Sequence, residues 1–93
     1  MVAGILTVAM LVPGSQSLKD KRQVVKSVLA NVRNKFNVSA AEVGGLDSHR
    51  RAQLAFACVS NDAAFVSSVL NKVLRQLESN PLCEVEDSGV EMI

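Results

Sequence analysis

The stretch that decides the fold runs from Val2 to Val12, VAGILTVAMLV, and is followed by the turn pair Pro13-Gly14. Its nearly continuous aliphatic character is typical of a strand buried on both faces in the middle of a sheet. Proline and glycine end such a strand and begin a turn. Because the run is too short to span a bilayer and has no basic leader, we expect a cytoplasmic protein without membrane contact.

The next segment, Ser17 to Lys35, predicts a helix that packs on this strand. Ser17 is suited to cap the helix, and Asp20 follows three residues later as a short-armed version of the capping box. The apolar residues recur at helical spacing within an arc of about 100°, the width of a core-facing stripe. These residues are Leu18, Val25, Val28, Leu29, Val32 and Phe36.

The remaining segments predict a hairpin, a second helix and a last strand. Gly44-Gly45 and a polar run separate two strand-like segments, and Ser60-Asn61-Asp62 is suited to cap the second helix. Asn80-Pro81 ends that helix. The predicted ranges are strand 37–43, strand 51–60, a helix between residues 62 and 80, and strand 82–93.

The order β-α-β-β-α-β is that of the ferredoxin-like fold. Right-handed crossovers then give a four-stranded antiparallel sheet of order 4-1-3-2, with both helices on one face. With 93 residues, 48% of them hydrophobic and 20% charged, the chain has the composition of one globular unit. We therefore predict a single α+β domain over residues 1–93.

The basic residues are concentrated in the first half of the chain. Residues 1–51 hold eight Lys or Arg and three acids, a net charge of +5, whereas residues 52–93 hold two bases and six acids, a net charge of −4. In the predicted topology the start of the first helix and the hairpin loop lie at the same end of the sheet. We expect an anion-binding pole there, with cations beside free N–H groups of the turn. Its predicted residues are Gly14, Ser15, Ser17, Lys19, Lys21, Arg22, Lys26, Arg50 and Arg51.

The expected anion is structured RNA or a ribonucleoprotein such as the ribosome, contacted through its phosphates. The chain has no Trp or Tyr and only three Phe, so binding of single strands by base stacking is not expected. Two alternatives stay open: a regulatory module that binds a small anionic metabolite at the same turn, and a purely structural homo-oligomer. A solvated basic face without a partner has about the same weight as an anion site.

No catalytic constellation accompanies the basic residues. His49 is the only histidine and has no visible nucleophile beside it, so we expect a protein that is not an enzyme. Cys58 and Cys83 lack a CxxC spacing, which favours buried free thiols over a metal site. We therefore predict no catalytic residue, no metal and no cofactor.

The sheet face opposite the helices is expected to be apolar, because the first and third strands present Ala and aliphatic residues on both sides. Such a surface is too apolar to leave in water. We therefore expect a homodimer or a higher homo-oligomer, formed through this open sheet face.

Three strings of the sequence resemble those of the YlxP-like family of small bacterial proteins. They are Pro13-Gly14 with SLKDKR at 17–22, FNVS at 36–39 with AEV at 41–43, and VSND at 59–62. The resemblance covers essentially the whole chain. It implies a ferredoxin-like fold, no assigned activity, and frequent encoding near translation-initiation and ribosome-maturation factors, which suggests contact with RNA or the ribosome.

Overall fold

The chain forms four strands and two helices in the predicted order, and the computed structural model describes residues 1–93. The elements are β1 Val2–Leu11, α1 Leu18–Lys35, β2 Ser39–Gly44, β3 Arg51–Ser60, α2 Ala63–Glu78 and β4 Glu84–Met92. All strand pairs are antiparallel, and the order β2-β3-β1-β4 is the predicted 4-1-3-2 order read from the other edge. The ferredoxin-like architecture is therefore confirmed. Neither helix is long and apolar enough to cross a bilayer.

The helix starts follow the capping residues that the sequence offers. The Ser17 hydroxyl accepts a hydrogen bond from the backbone N–H of Asp20 at 3.0 Å. The Asp20 carboxylate accepts from the N–H of Gln16 at 3.1 Å, one residue before the cap itself. At α2, the Asp62 carboxylate accepts from the N–H of Ala64 at 2.9 Å. Both helices therefore begin with their first free N–H groups partly satisfied.

The core lies between the helices and one face of the sheet. β1 and β3 alternate, so that side chains such as Leu6, Val8 and Phe56 are fully buried against the helices. The opposite face of β1 carries the half-buried Ile5 and the exposed Thr7. The prediction that β1 is buried on both faces is therefore wrong for the single chain, because both helices pack on the same side of the sheet.

A buried lysine joins α1 to the β2–β3 hairpin. Lys21 has a relative exposure of 0%, and its ammonium donates to Glu42 Oε2 at 3.0 Å, to the Gly45 carbonyl at 2.7 Å and to the Arg51 carbonyl at 3.3 Å. An ammonium has three protons to donate, and all three find an acceptor here. The positive φ of Gly45, 72°, aims its carbonyl at the lysine in a backbone conformation that glycine adopts freely. The hairpin is thus fixed against the first turn of α1.

The position of Lys21 follows the helical period of the apolar stripe. Lys21 stands four residues before Val25 and seven before Val28, both of which are buried. Residues at this spacing share one helix face. The signal that places Lys21 in the core was therefore present in the sequence, and a carboxylate to pair with it was available in β2.

Replacing Lys21 by Met tests this cross-link. The change leaves the Glu42 carboxylate half-buried without its partner and removes one hydrogen bond from each of two backbone carbonyls, of which that of Gly45 keeps its bond from the Ser48 N–H. Loss of one partner of a buried pair typically costs about 3–5 kcal/mol, so we expect a decrease of this size in the free energy of unfolding measured in urea.

The matched control is Lys19→Met, which removes the same charge from an exposed position of the same helical turn. We expect that substitution to change the free energy of unfolding by no more than about 0.5 kcal/mol. Equal losses for the two variants would contradict a structural role of Lys21.

Candidate functional site

The turn after β1 meets the loop of the β2–β3 hairpin at one end of the sheet. The backbone N–H of Val12 donates to the Arg50 carbonyl at 2.6 Å, and Arg50 Nε donates to the Ser15 carbonyl at 3.1 Å. A shallow depression of about 350 Å³ lies there, lined by Ser15, Gln16, Ser48, His49 and Arg50. The predicted meeting of these two segments is confirmed.

The turn does not offer the free donors that the sequence suggested. Ser15 is buried, its N–H donates to the Val12 carbonyl at 3.1 Å, and its hydroxyl donates to the Ser17 carbonyl at 2.8 Å. The N–H of Gln16 is bonded to Asp20. The expectation of a corner lined by free amides is therefore wrong at Ser15 and Gln16, because the turn satisfies its own backbone groups.

The other side of the same turn carries a carboxylate. Gly14 and Asp20 line one depression of about 290 Å³, together with apolar atoms of Val12, Pro13 and Leu82 among others. A carboxylate at this position repels an anion that approaches Gly14. Ser15 and Ser17 therefore help to position the start of α1, since the N–H and hydroxyl of Ser15 are bonded within the turn and the Ser17 hydroxyl accepts from Asp20.

Two of the predicted cations are committed elsewhere. Lys21 is buried on the hairpin, so it is removed from the exposed basic surface. Arg51 projects from the open sheet face, where its Nε donates to Glu86 Oε1 at 3.1 Å and its Nη2 donates to Glu86 Oε2 at 3.3 Å. This hydrogen bonding, reinforced by the charge of Glu86, raises the pKa of the Arg51 guanidinium above its usual value. Neither residue is oriented for contact with a partner at α1.

The other predicted cations of α1 remain available. Lys19, Arg22 and Lys26 are exposed, and they recur at the i, i+3 and i+7 spacing that places them on one side of the helix. Arg33 continues the row and donates to the Ala40 carbonyl of β2, which shows that this side of α1 faces the β2 edge. We call the row Lys19, Arg22, Lys26 and Arg33 the α1 flank. The hydrogen bond from Arg50 to Ser15 places Arg50 near the N-terminal end of the α1 flank.

A second group of cations was missed by the reasoning from sequence. Lys35 at the end of α1 and Lys72 and Arg75 of α2 line an open groove of about 330 Å³, together with Phe36, Gln76 and Ser79. We call it the inter-helix groove. Lys72 and Arg75 lie three residues apart and outside the apolar stripe of α2, so the sequence places them together on the outer face of that helix. Their closeness to Lys35 depends on how the two helices pack.

Positive and negative charges are separated more completely between the helical layer and the sheet than between the two halves of the sequence. The two helices carry seven exposed Lys or Arg side chains and only two acids, Asp20 and Glu78. The edge strand β4 carries four acids and no base. The only two ion pairs of the molecule, Lys21–Glu42 and Arg51–Glu86, include none of the seven exposed helical cations. The helical layer is therefore a basic surface without internal neutralisation.

The cysteines behave as the sequence predicts. Cys58 and Cys83 are both buried and free. Burial raises the pKa of the Cys83 thiol, which keeps it in its unreactive protonated form at neutral pH. No three His, Cys, Asp or Glu side chains lie together in a group that could hold a metal ion.

Comparison with known proteins places the chain in a family without an assigned activity. Residues 3–90 match the family model described as "Protein of unknown function (DUF503)". The chain is also similar to the "Uncharacterized protein YlxP" of Bacillus subtilis (strain 168), with 41% identity over 68 residues, which is 73% of this chain and 74% of that protein. The match to the family model spans nearly the whole chain, so this protein belongs to the DUF503 family.

Proposed function

We propose that this protein is a non-enzymatic cytoplasmic binding protein whose helical layer contacts the phosphates of structured RNA. The contact residues would be Lys19, Arg22 and Lys26 of the α1 flank, with Arg50 beside them. The observation that carries the proposal is the concentration of seven exposed, unpaired cations on the helices. Clusters of this kind are the electrostatic footprint of proteins that bind nucleic acids through the backbone.

Contact with a folded RNA fits this surface better than base stacking on a single strand does. The three phenylalanines are Phe56, which is fully buried in the core, Phe36, half-buried beside Lys35, and Phe65 at the start of α2. The open sheet face, where stacking would take place in this architecture, has no aromatic side chain. The genomic neighbourhood implied by the family resemblance supports the same class of partner.

A small anionic metabolite at the predicted turn is the weaker candidate. The depression at Gly14 contains the Asp20 carboxylate, and the one at Arg50 is shallow. Small-molecule sites are usually deep enough to bury most of the ligand surface. The available cations are instead distributed along the helix surface, which suits an extended polyanion.

The dependence of affinity on salt tests the proposed contact with RNA. If the protein neutralises four phosphates, a plot of the logarithm of the binding constant for a duplex RNA against the logarithm of the salt concentration should have a slope of roughly −3 to −4. The double variant Arg22→Gln/Lys26→Gln removes two contacts, so the slope should become shallower by about two. Both slopes are measured by fluorescence anisotropy over a range of KCl concentrations.

A control with the same net charge separates specific contacts from total charge. Asn61→Asp/Ser88→Asp also lowers the net charge by two, but both positions lie away from the α1 flank. We expect this control to keep the slope of the unaltered protein, and both double variants to unfold at nearly the same temperature. Equal weakening by the two double variants would contradict a contact through the α1 flank.

We also propose that the open sheet face binds a second copy of the chain. Ile5 and Ala57 are paired in register near the middle of this face, and Val59 and Val43 on it are 62% and 56% exposed. A face about 19 Å wide and about 33 Å long offers roughly 600 Å² per copy. Twice that area is at the lower limit of stable dimer interfaces. A twofold contact between two such faces would leave both helical layers free.

Placing a charge in the middle of the face tests self-association. Ala57→Arg should shift the protein from dimer to monomer, because a charge buried in the apolar middle of the contact, away from the acids at the β4 edge, is unfavourable. Sedimentation equilibrium measures the change. The control Ser67→Arg adds the same charge to the exposed surface of α2 and should leave the dimer intact. An unaltered protein that is monomeric at all accessible concentrations would refute this proposal.

A further inference from the structure

The inter-helix groove gathers three cations that form no ion pair within the molecule. Lys35 comes from the end of α1, and Lys72 and Arg75 come from the outer face of α2. None of them takes part in either ion pair of the structure. Glu78 stands three residues after Arg75 on the same helix, yet it makes no ion pair with it. The groove is therefore electropositive and has no internal partner for its charges.

The parts of the groove are held in place by the packing of the helices. Lys72 and Arg75 are neighbours on one helix surface, with Cβ atoms roughly 5–6 Å apart. Lys35 faces them from α1, with its ammonium 5.6 Å from the centre of the Phe36 ring. The half-buried Gln76 adds a side-chain amide to the lining. The C-terminal ends of both helices lie at the groove, and each carries a partial negative charge of about half a unit, which three full positive charges together outweigh.

We propose that the inter-helix groove binds a phosphate group and supplies a second phosphate contact for the RNA. This inference rests on the proposed function, because it names a further part of the same binding surface. Arg75 can donate two parallel hydrogen bonds to phosphate oxygens, and the two lysines add point charges from either side. The lining residues include no carboxylate that would repel the ligand.

The separation of the two contact regions determines which ligands can use both. Lys26 and Lys35 are nine residues apart in α1, which corresponds to roughly 14 Å along the helix axis. They also lie on different sides of the helix, since the α1 flank faces the β2 edge and the groove faces α2. A single phosphate compound cannot contact both regions, whereas a nucleic acid backbone with closely spaced phosphates can. Affinity should therefore rise with the length of the RNA duplex until both regions are occupied.

The test compares Lys72→Gln/Arg75→Gln with the charge-matched control Asn61→Asp/Ser88→Asp. For a duplex RNA long enough to span both regions, the groove variant should make the salt slope shallower by about two, and the control should not. For a duplex too short to leave the α1 flank, the groove variant should bind like the unaltered protein. Unfolding curves of all variants show whether the fold is intact.

A second measurement uses pyrophosphate as the probe and is independent of RNA. Titration of the unaltered protein at low salt should shift the NMR signals of the Lys35 and Gln76 side chains, which line the groove and remain in the groove variant, in a saturable way, and the shift should be absent in the groove variant.

The outcomes distinguish this inference from the proposed function. If Arg22→Gln/Lys26→Gln weakens RNA binding but the groove variant matches its control, the groove proposal is overturned and the RNA proposal stands. If no duplex RNA binds while pyrophosphate saturates the groove, the proposed function fails and the groove remains a site for small phosphate compounds. Absence of both effects at the groove would overturn the inference altogether.

Discussion

The organisation of the molecule depends on one buried ammonium group. Lys21 crosses from α1 to the β2–β3 hairpin, where it bonds Glu42 and two backbone carbonyls. A lysine without partners in such a place would lose more free energy through dehydration than the fold could recover. With its three protons bonded, it fixes the hairpin against the helix and so brings Arg50 to Ser15. The same arrangement removes one apparent surface charge from the basic helix.

The remaining charges are separated by layer, and the size of the molecule makes this separation effective. The two shorter dimensions of the protein are 20 and 18 Å. The Debye length at physiological ionic strength is about 8 Å, so charges on opposite sides are largely screened from each other. An anion placed at the helices would therefore interact with the exposed lysines and arginines and hardly at all with the acids of β4. The net charge of the whole chain, +1, therefore describes neither the basic surface of the helices nor the acidic edge at β4.

The fold could be predicted from the sequence because several local signals agree. The bounds of β3, the cap at Ser17 and the sheet order all followed from periodicity, turn residues and the handedness of crossovers. The prediction of burial on both faces of β1 failed because an aliphatic run does not reveal whether a second layer covers the sheet.

The site could be predicted only in part, because ion pairs depend on register and packing. Arg51 and Glu86 lie close together because β3 and β4 both pair with β1 and because the β1–β4 pairing has a bulge near Ala9. No local sequence pattern indicates this arrangement. The spacing between Lys21 and Val25 indicated that Lys21 lies on the buried face of α1. Because Lys21 was assigned to the basic surface, its role in joining α1 to the hairpin was missed. Lys72 and Arg75 were overlooked because they fall in the acidic half of the chain. Their position beside Lys35 arises from the packing of the two helices.

The most direct test of the account is ultraviolet crosslinking in living cells, followed by identification of the attached RNA and of the crosslinked peptides. The account predicts that structured RNA is recovered above background and is attached to peptides of α1 and α2. Recovery of no RNA, or attachment confined to β4 and the open sheet face, would contradict it.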